Sequence, residues 1–452
     1  MQRGRHDMMN KPKSHCLARK VALLYLLLFA GLCSAQPIAL LADRIIDGNS
    51  REALQNSVIV VDGDKIIAVG SRDIIPDGAT TINFGNATLM PGMIDAHTHP
   101  LLASGDYQSK HISQSSAYKS LRAAAFLQQL LRAGWTGARV AGDGDVFYGD
   151  VDIKKAIDEG AIIGPRMAVA GHYLSITGGG GDINYVSPEQ LLIADGLVVD
   201  GVDEVRLAVR NEIKYGSDWI KVLATGAYLS VGDSPKNVSF SPEEFAALMD
   251  EANRQGVPVM SHAHATAGIR QSVLAGVRSI EHGTFLDDEV IDLMVEHGTW
   301  LIPTIYIGDY YALAESLRED ERNKYYMEHE RPIWFEWLNK AYRKGVKIGV
   351  GVDFGGQGYA PQVFAREFAM LKEVGMSNMD AILAGTRVNA ELLGWDDRLG
   401  TLEAGKLADI IAIPGNPLDD IALLETVSFV MLGGQIIKSP DRPDPLQGML
   451  IQ

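Results

Sequence analysis

The stretch Pro91-Gly-Met-Ile-Asp-Ala-His-Thr-His-Pro100 constrains this chain more than any other. It is an apolar run that ends in two histidines one residue apart. In an extended strand, residues i and i+2 project to the same side. His97 and His99 therefore point together into one cavity, as two imidazoles on one metal must. A His-x-His pair also arises by chance, so its meaning depends on polar residues elsewhere in the chain.

Strand-like and helix-like segments alternate through the middle of the sequence. The strand-like ones are 89–96, 137–141, 166–170, 219–223, 257–261, 278–281, 300–305 and 347–352. The helical ones are 118–133, 203–215, 242–255, 287–296, 322–343 and 361–374. Ser241 before Pro242-Glu-Glu is a helix start, with Ser as the cap and Pro in the first turn. Such alternation predicts βα units around a parallel sheet. Strands in this number suggest a (β/α)8 TIM barrel, which carries its active site at the C-terminal strand ends. Both chain ends are instead β-rich. Residues 57–70 form two apolar runs around Asp62-Gly-Asp64, a hairpin signal, and short strands with glycine turns return at 405–413 and 427–437.

The polar residues fall on the predicted strand ends. Lys221 sits in Asp218-Trp-Ile-Lys-Val-Leu-Ala-Thr-Gly226 and His262 in Val259-Met-Ser-His-Ala-His264. His282 sits in Ser279-Ile-Glu-His-Gly283 and Asp353 ends Ile348-Gly-Val-Gly-Val-Asp353. With His97 and His99 they make a donor set for two divalent metals, and imidazole with carboxylate suits zinc. Lys221 is the awkward member, because an ammonium inside an apolar strand is costly to bury. His264 faces the same side as His262 and is an alternative ligand. His172, after the third strand, and Tyr228, on the loop after Lys221, are candidate substrate contacts. His111, His297 and His329 read as surface residues. Gly178-Gly-Gly-Gly-Asp182 is a turn, not a phosphate loop, since no Lys-Ser/Thr follows it.

Taken in order, these motifs resemble the amidohydrolase superfamily of metal-dependent hydrolases. Within it the chain is similar to the branch of imidazolonepropionase-like proteins and metal-dependent Xaa-Pro and Xaa-Arg/Lys dipeptidases, and to ochratoxin-cleaving amidohydrolases. The likeness runs from about residue 42 to residue 438. It implies that His97, His99 and Asp353 hold one Zn2+ and His262 and His282 a second. Lys221, as N6-carboxylysine, and a hydroxide would bridge the two ions. It implies that Asp353 is the catalytic proton shuttle, and that His264, His172 and Tyr228 touch substrate. The implied reaction is hydrolysis of the amide of a dipeptide or N-acyl amino acid with a free C-terminal carboxylate, aryl amides of phenylalanine included. Gly180 stands where dipeptidase relatives often carry a histidine, which bears on substrate preference.

Two rivals stand beside that reading. One is a single-metal hydrolase of cyclic amides or imidazolones, or a deaminase, which has no need of Lys221. The other is a periplasmic binding protein without catalysis, against which the full ligand set argues. The resemblance further implies a small β-sandwich built from 36–90 and 396–452 beside a barrel of 91–395, and a homo-oligomer as large as an octamer.

Length and charge agree with this organisation. The 452 residues suit one large domain plus a smaller one, and a net charge of -16 argues against nucleic acid as a partner. Residues 1–20 are basic and 21–32 are apolar, too short a run to span a bilayer comfortably. Cys33-Ser-Ala35 then offers small residues to a signal peptidase. The expectation is a signal peptide of 1–35, cleaved after about Ala35, and a periplasmic or secreted protein without a membrane anchor. Both cysteines, Cys16 and Cys33, lie in that leader. The mature chain would have neither disulfides nor thiolate ligands.

Overall fold

The computed structural model of the protein describes residues 36–103, 105–313 and 321–441. The leader expected at 1–35, with both cysteines, lies outside them. The fold is α/β, with its strands divided between the chain ends and the middle of the chain.

The chain ends form two sheets. The first orders Lys65–Ser71, Ser57–Asp62, Ile38–Leu41 and Thr80–Asn83. The second orders Gln435–Lys438, Phe429–Leu432, Ile410–Pro414, Ala87–Pro91, Arg44–Ile45 and Leu54–Gln55. Ile410–Pro414 runs antiparallel to Ala87–Pro91, so the two ends of the chain are hydrogen-bonded together. Strand alternation explains the packing. Ile59 and Val61 face a core shared with Leu89, Ile410 and Phe429 of the second sheet, while Val58 and Val60 pack with Ala39 and Leu41 on the other face. The expected hairpin is present, with Asp62 paired to Lys65 across the turn.

The middle of the chain is a run of parallel strands. Met93–Ala103, Trp135–Ala141 and Arg166–Ala170 are neighbours, and Ile220–Leu223, Val259–Ala263, Ser279–His282 and Trp300–Ile302 follow in a second sheet. Backbone bonds link the two sheets on both sides. The Trp219 N–H donates to Val169 O at 3.2 Å. On the other side, Leu301 N–H donates to Lys347 O at 2.9 Å and Ala96 N–H to Val350 O at 2.9 Å. Asp95 reinforces that junction, since its carboxylate accepts from His97 N–H at 3.0 Å and Val352 N–H at 3.1 Å. Helices such as Ser116–Arg132, Pro242–Gln255 and Asp288–His297 lie between the strands in sequence and bury their apolar residues in one core with them. The helix at Pro242–Gln255 carries a capping box, with Ser241 and Glu244 each bonding the other's backbone N–H.

Several expected elements differ, four of them in ways that bear on the site. The strand expected at 89–96 is two, broken at Gly92, where the chain passes from one sheet to the next and a side chain would collide with Thr136. The strand expected at 300–305 stops at Ile302, because Thr304 turns to φ 51 and a helix, Ile305–Leu313, begins. The helix expected at 322–343 is interrupted by a wide turn at Tyr326–Glu330. The strand expected at 347–352 makes a single ladder bridge, Ile348 to Leu301, and joins its neighbours through separate backbone bonds, Gly349 N–H to Leu301 O at 3.0 Å and Ala96 N–H to Val350 O at 2.9 Å.

At Gly351 an added Cβ would lie 2.4 Å from Ile302 Cγ2 and 2.7 Å from His97 Cβ. Gly351→Ala is expected to destabilise the protein by about 1–3 kcal/mol in urea unfolding. An unchanged midpoint would show that this segment is not packed against His97.

Candidate metal centre

The strand ends gather the polar residues at one rim. His97 and His99 lie on Met93–Ala103, Lys221 on Ile220–Leu223, and His262 on Val259–Ala263. His282 closes Ser279–His282, and Asp353 follows the last segment. Asp353 Oδ1 is 3.1 Å from His99 Nε2 and 3.4 Å from His97 Nε2, and its Oδ2 is 3.9 Å from His282 Nδ1. Lys221 Nζ is 3.4 Å from His97 Nε2. Two groups of donors result. His97, His99 and Asp353 form one, and His262, His264 and His282 form the other, with the donor atoms of each within 4.8 Å of one another.

The imidazoles are held from behind. His97 Nδ1 meets Glu281 Oε2 at 2.7 Å, and His99 Nδ1 meets Gly142 O at 2.5 Å. His264 Nδ1 meets Thr284 Oγ1 at 2.8 Å, and His282 Nδ1 meets Thr304 Oγ1 at 2.7 Å. His262 is bound through the other nitrogen, Nε2 to Gly226 O at 3.2 Å, which leaves Nδ1 as its available donor. One nitrogen of each ring is thus engaged by the protein, and partners of this kind orient metal-binding histidines. Burial lowers the basicity of His97, takes His262 and His282 well below the ordinary imidazole value, and brings His264 to about 3. Burial thus favours the neutral form of these rings, the form in which imidazole binds metal. Burial alone would raise Asp353, but His97 and His99 around it hold its carboxyl well below the usual range. Neutral imidazoles, an ionised carboxylate and an amine in a desolvated pocket fit divalent transition metals.

A fully buried ion pair supports this group. Arg139 donates to Glu281 at 2.8 and 2.9 Å and lies over the Trp219 ring at 4.7 Å. Burial would raise Glu281, yet Arg139 and the bond from His97 bring it down to about 2. Sequence reasoning missed both residues. Their signal was an unpaired acid and an unpaired base, each inside an apolar strand. It also missed backbone strain. Among the described residues, non-glycine positive φ occurs at His282, Thr304 and Asp353, and elsewhere only at Asn56. Each such residue costs about 1–2 kcal/mol and aims a side chain where a regular strand could not.

The other candidates divide. His264 stacks on His282 at 4.8 Å, against 4.5 Å for His262 on the same ring. Tyr228 faces the cavity, its ring edge on His264 at 4.9 Å and its hydroxyl donating to Glu330 at 2.9 Å. His172 does not line the cavity, because Glu212 accepts from both its backbone N–H and its ring nitrogen. His111, read as a surface residue, is buried between Gly144 O and Ile193 O. His297 and His329 are exposed as read. The donors open into a cavity of about 230 Å³ that Gly180 also lines.

Residues 88–437 match the model of the amidohydrolase family. The chain belongs to that family. Ochratoxinase from Aspergillus niger is 33% identical, over 92% of this chain and 89% of its own length. Its crystal structure superposes with a TM-score of 0.79 over 91% of this chain and 100% of that one. A crystal structure of a Xaa-Pro dipeptidase with bound methionine in the active site is 36% identical, with a TM-score of 0.81 over 89% of this chain and 99% of that one. Imidazolonepropionase from Mesorhizobium japonicum is more distant, 26% identical over 76% of this chain and 83% of its own length. As an amidohydrolase, the protein is a hydrolase acting on amides, and its histidine and aspartate groups are placed where they could bind metal.

Two predictions follow from the burial of charge in this amidohydrolase. Arg139→Met strands the Glu281 carboxylate and is expected to cost about 3–5 kcal/mol. The double variant Arg139→Met/Glu281→Leu should regain most of that stability yet bind metal about 10–100-fold more weakly, since His97 loses its acceptor. Chelator competition on both variants measures the difference. The second concerns Lys221, whose ammonium burial pulls from 10.5 down to about 8. The folded metal-free chain then binds that proton less tightly than the unfolded chain, so protonation opposes folding. Lys221→Met should raise the melting temperature of chelator-treated protein. The gain should be full below pH 8 and fade towards pH 10.5, as calorimetry across that range will show.

Proposed function

We propose that the protein hydrolyses the amide bond of a dipeptide or N-acyl amino acid with a free C-terminal carboxylate, at a site that holds two zinc ions. The observation that carries this reading is Lys221. It is 2% exposed, lies beside His97 on the wall of the same cavity, and has no carboxylate within salt-bridge distance among the described residues. A buried ammonium in that position is poorly accommodated. Addition of the amine to carbon dioxide, with loss of a proton, would make an anionic N6-carboxylysine, a donor that could serve both ions. His97, His99 and Asp353 would hold one ion and His262 and His282 the other. When bound, the pair would polarise the substrate carbonyl and make water acidic enough to attack near pH 7.

The remaining steps belong to the chain. Asp353 takes the proton of the attacking water and returns it to the leaving nitrogen. A hydroxyl of Thr284 donating to His264 Nδ1 leaves the Nε2–H free to face the carbonyl oxygen. Tyr228 beside it closes the same wall. His172 is left to hold Glu212 and the backbone in place. We further propose that the fold is a (β/α)8 barrel of 91–395 with a β-sandwich of 36–90 and 396–452, of which residues 442–452 lie outside the described ones. The backbone bonds between its parallel strands, and the core shared by the two chain-end sheets, support that division. We also propose that residues 1–35 direct the chain to the periplasm or outside the cell, and that it works as a homo-oligomer, as large as an octamer.

The test pairs metal content with turnover of Xaa-Pro, Xaa-Arg and Xaa-Phe dipeptides and an aryl amide of phenylalanine. Two zinc per chain are expected, with metal and activity both falling in Lys221→Ala. Asp353→Asn should lower kcat by at least about 100-fold. A single metal indifferent to Lys221→Ala would move the reading to a single-metal imidazolone hydrolase or deaminase.

A further inference from the structure

Thr304 has two duties. Its hydroxyl oxygen meets His282 Nδ1 at 2.7 Å. Its backbone, at φ 51, turns the chain from the strand Trp300–Ile302 into the helix Ile305–Leu313. A β-branched residue rarely adopts that conformation, so the turn persists only where its surroundings hold it.

An acid from a distant part of the chain ties this turn down. Glu367, on the helix Arg366–Val374, is 0% exposed. Its Oε1 accepts from Ile305 N–H at 2.9 Å and its Oε2 from Tyr306 N–H at 2.7 Å. These are the first two N–H groups of the new helix, which have no acceptor within it, and the positive end of the helix favours a carboxylate there. The neighbouring Arg366 turns instead to Glu425 at 3.2 Å and to the Tyr306 hydroxyl at 2.9 Å. Burial pushes the Glu367 carboxyl up to about 8, with the two N–H bonds working against that rise. An apolar side chain would avoid that cost, so what the acid contributes is its pair of acceptors. The helix that starts on Glu367 also builds the cavity, which Thr304, Ile307, Gly308 and Tyr311 line. One carboxylate thus secures both the partner of His282 and the wall beside it.

We infer that Glu367 is a positioning residue for the group of donors that contains His282, acting through Thr304. Without its two acceptors the turn relaxes towards an ordinary φ and the Thr304 hydroxyl leaves His282 Nδ1. The ring then loses the partner that aims its other nitrogen. This rests on the reading of His282 as a metal ligand, and adds a residue that touches neither ion nor substrate.

The experiment is zinc titration against a competing chelator, on the full chain and on Glu367→Gln, Thr304→Val, their double variant, His282→Ala and Ser241→Ala. Glutamine keeps the shape of Glu367 but offers one acceptor oxygen where two are used. Glu367→Gln is expected to weaken one zinc-binding step by about 10–100-fold and to leave the other unchanged. Thr304→Val should weaken the same step, and the double variant no more than the worse single one, because both act through one ring. Ser241→Ala removes the cap of the helix Pro242–Gln255. It should lower thermal stability and leave both steps unchanged, which separates positioning from general loss of structure. Unchanged binding in Glu367→Gln, equal loss in both steps, or additive effects of the two variants would overturn the inference. If His282→Ala loses a step that Glu367→Gln keeps, the inference alone fails. If His282→Ala binds zinc as the wild type does, the ligand reading fails and the inference with it. Should Glu367→Gln not fold, amide hydrogen exchange in the wild type decides. Exchange at Ile305 and Tyr306 should slow by at least about ten-fold when the second zinc binds, and unchanged exchange would overturn the coupling.

Discussion

The structure depends on one constraint: five imidazoles, a carboxylate and an amine are gathered, largely buried, around one cavity. The arrangement is unfavourable unless each group has a partner. The protein supplies partners from behind, through Glu281, Thr284, Thr304 and the carbonyls of Gly142 and Gly226. What it does not supply is a carboxylate for Lys221. Burial holds His262 and His282 well below the ordinary imidazole value, and the backbone is strained at His282, Thr304 and Asp353. These features oppose folding and favour cation binding, so the free energy of a bound ion would return what the apo pocket costs.

Stability for this arrangement comes from around the site. Arg139 and Glu281 neutralise each other in the interior and fix His97 from the side away from the cavity. Asp95 ties the strand of His97 to the segment that ends in Asp353. Glu367 accepts from the N–H groups of Ile305 and Tyr306, at 2.9 and 2.7 Å, and so starts the helix that follows Thr304. Each of these acids is buried and spans a break between elements, which explains why carboxylates occupy positions that would otherwise be apolar.

Much of the site was legible because its donors sit in short motifs at strand ends, and strand ends of a βα repeat share a rim. His97, His99, Lys221, His262, His282 and Asp353 could be grouped on that rule together with the family resemblance, which also chose His262 over His264. Their supports could not. Arg139 and Glu281 are far apart in sequence, and only the register of parallel strands brings them together. His172 looked like a contact because it follows a strand, but Glu212, on another helix, turns it away from the cavity. His111 looked exposed because the helix that buries it, Tyr107–Ser113, is short and has no strong pattern. The alternation of strands and helices was legible throughout the middle of the chain. The breaks at Gly92 and Thr304 were not, because they answer to packing and local φ rather than to hydrophobic period.

The most direct measurement is anomalous diffraction at the zinc edge from crystals of the zinc-loaded protein. The account predicts two peaks about 3.5–4 Å apart, one beside His97, His99 and Asp353 and one beside His262 and His282, with density extending Lys221 between them. One peak, with Lys221 ending at its amine, would contradict it.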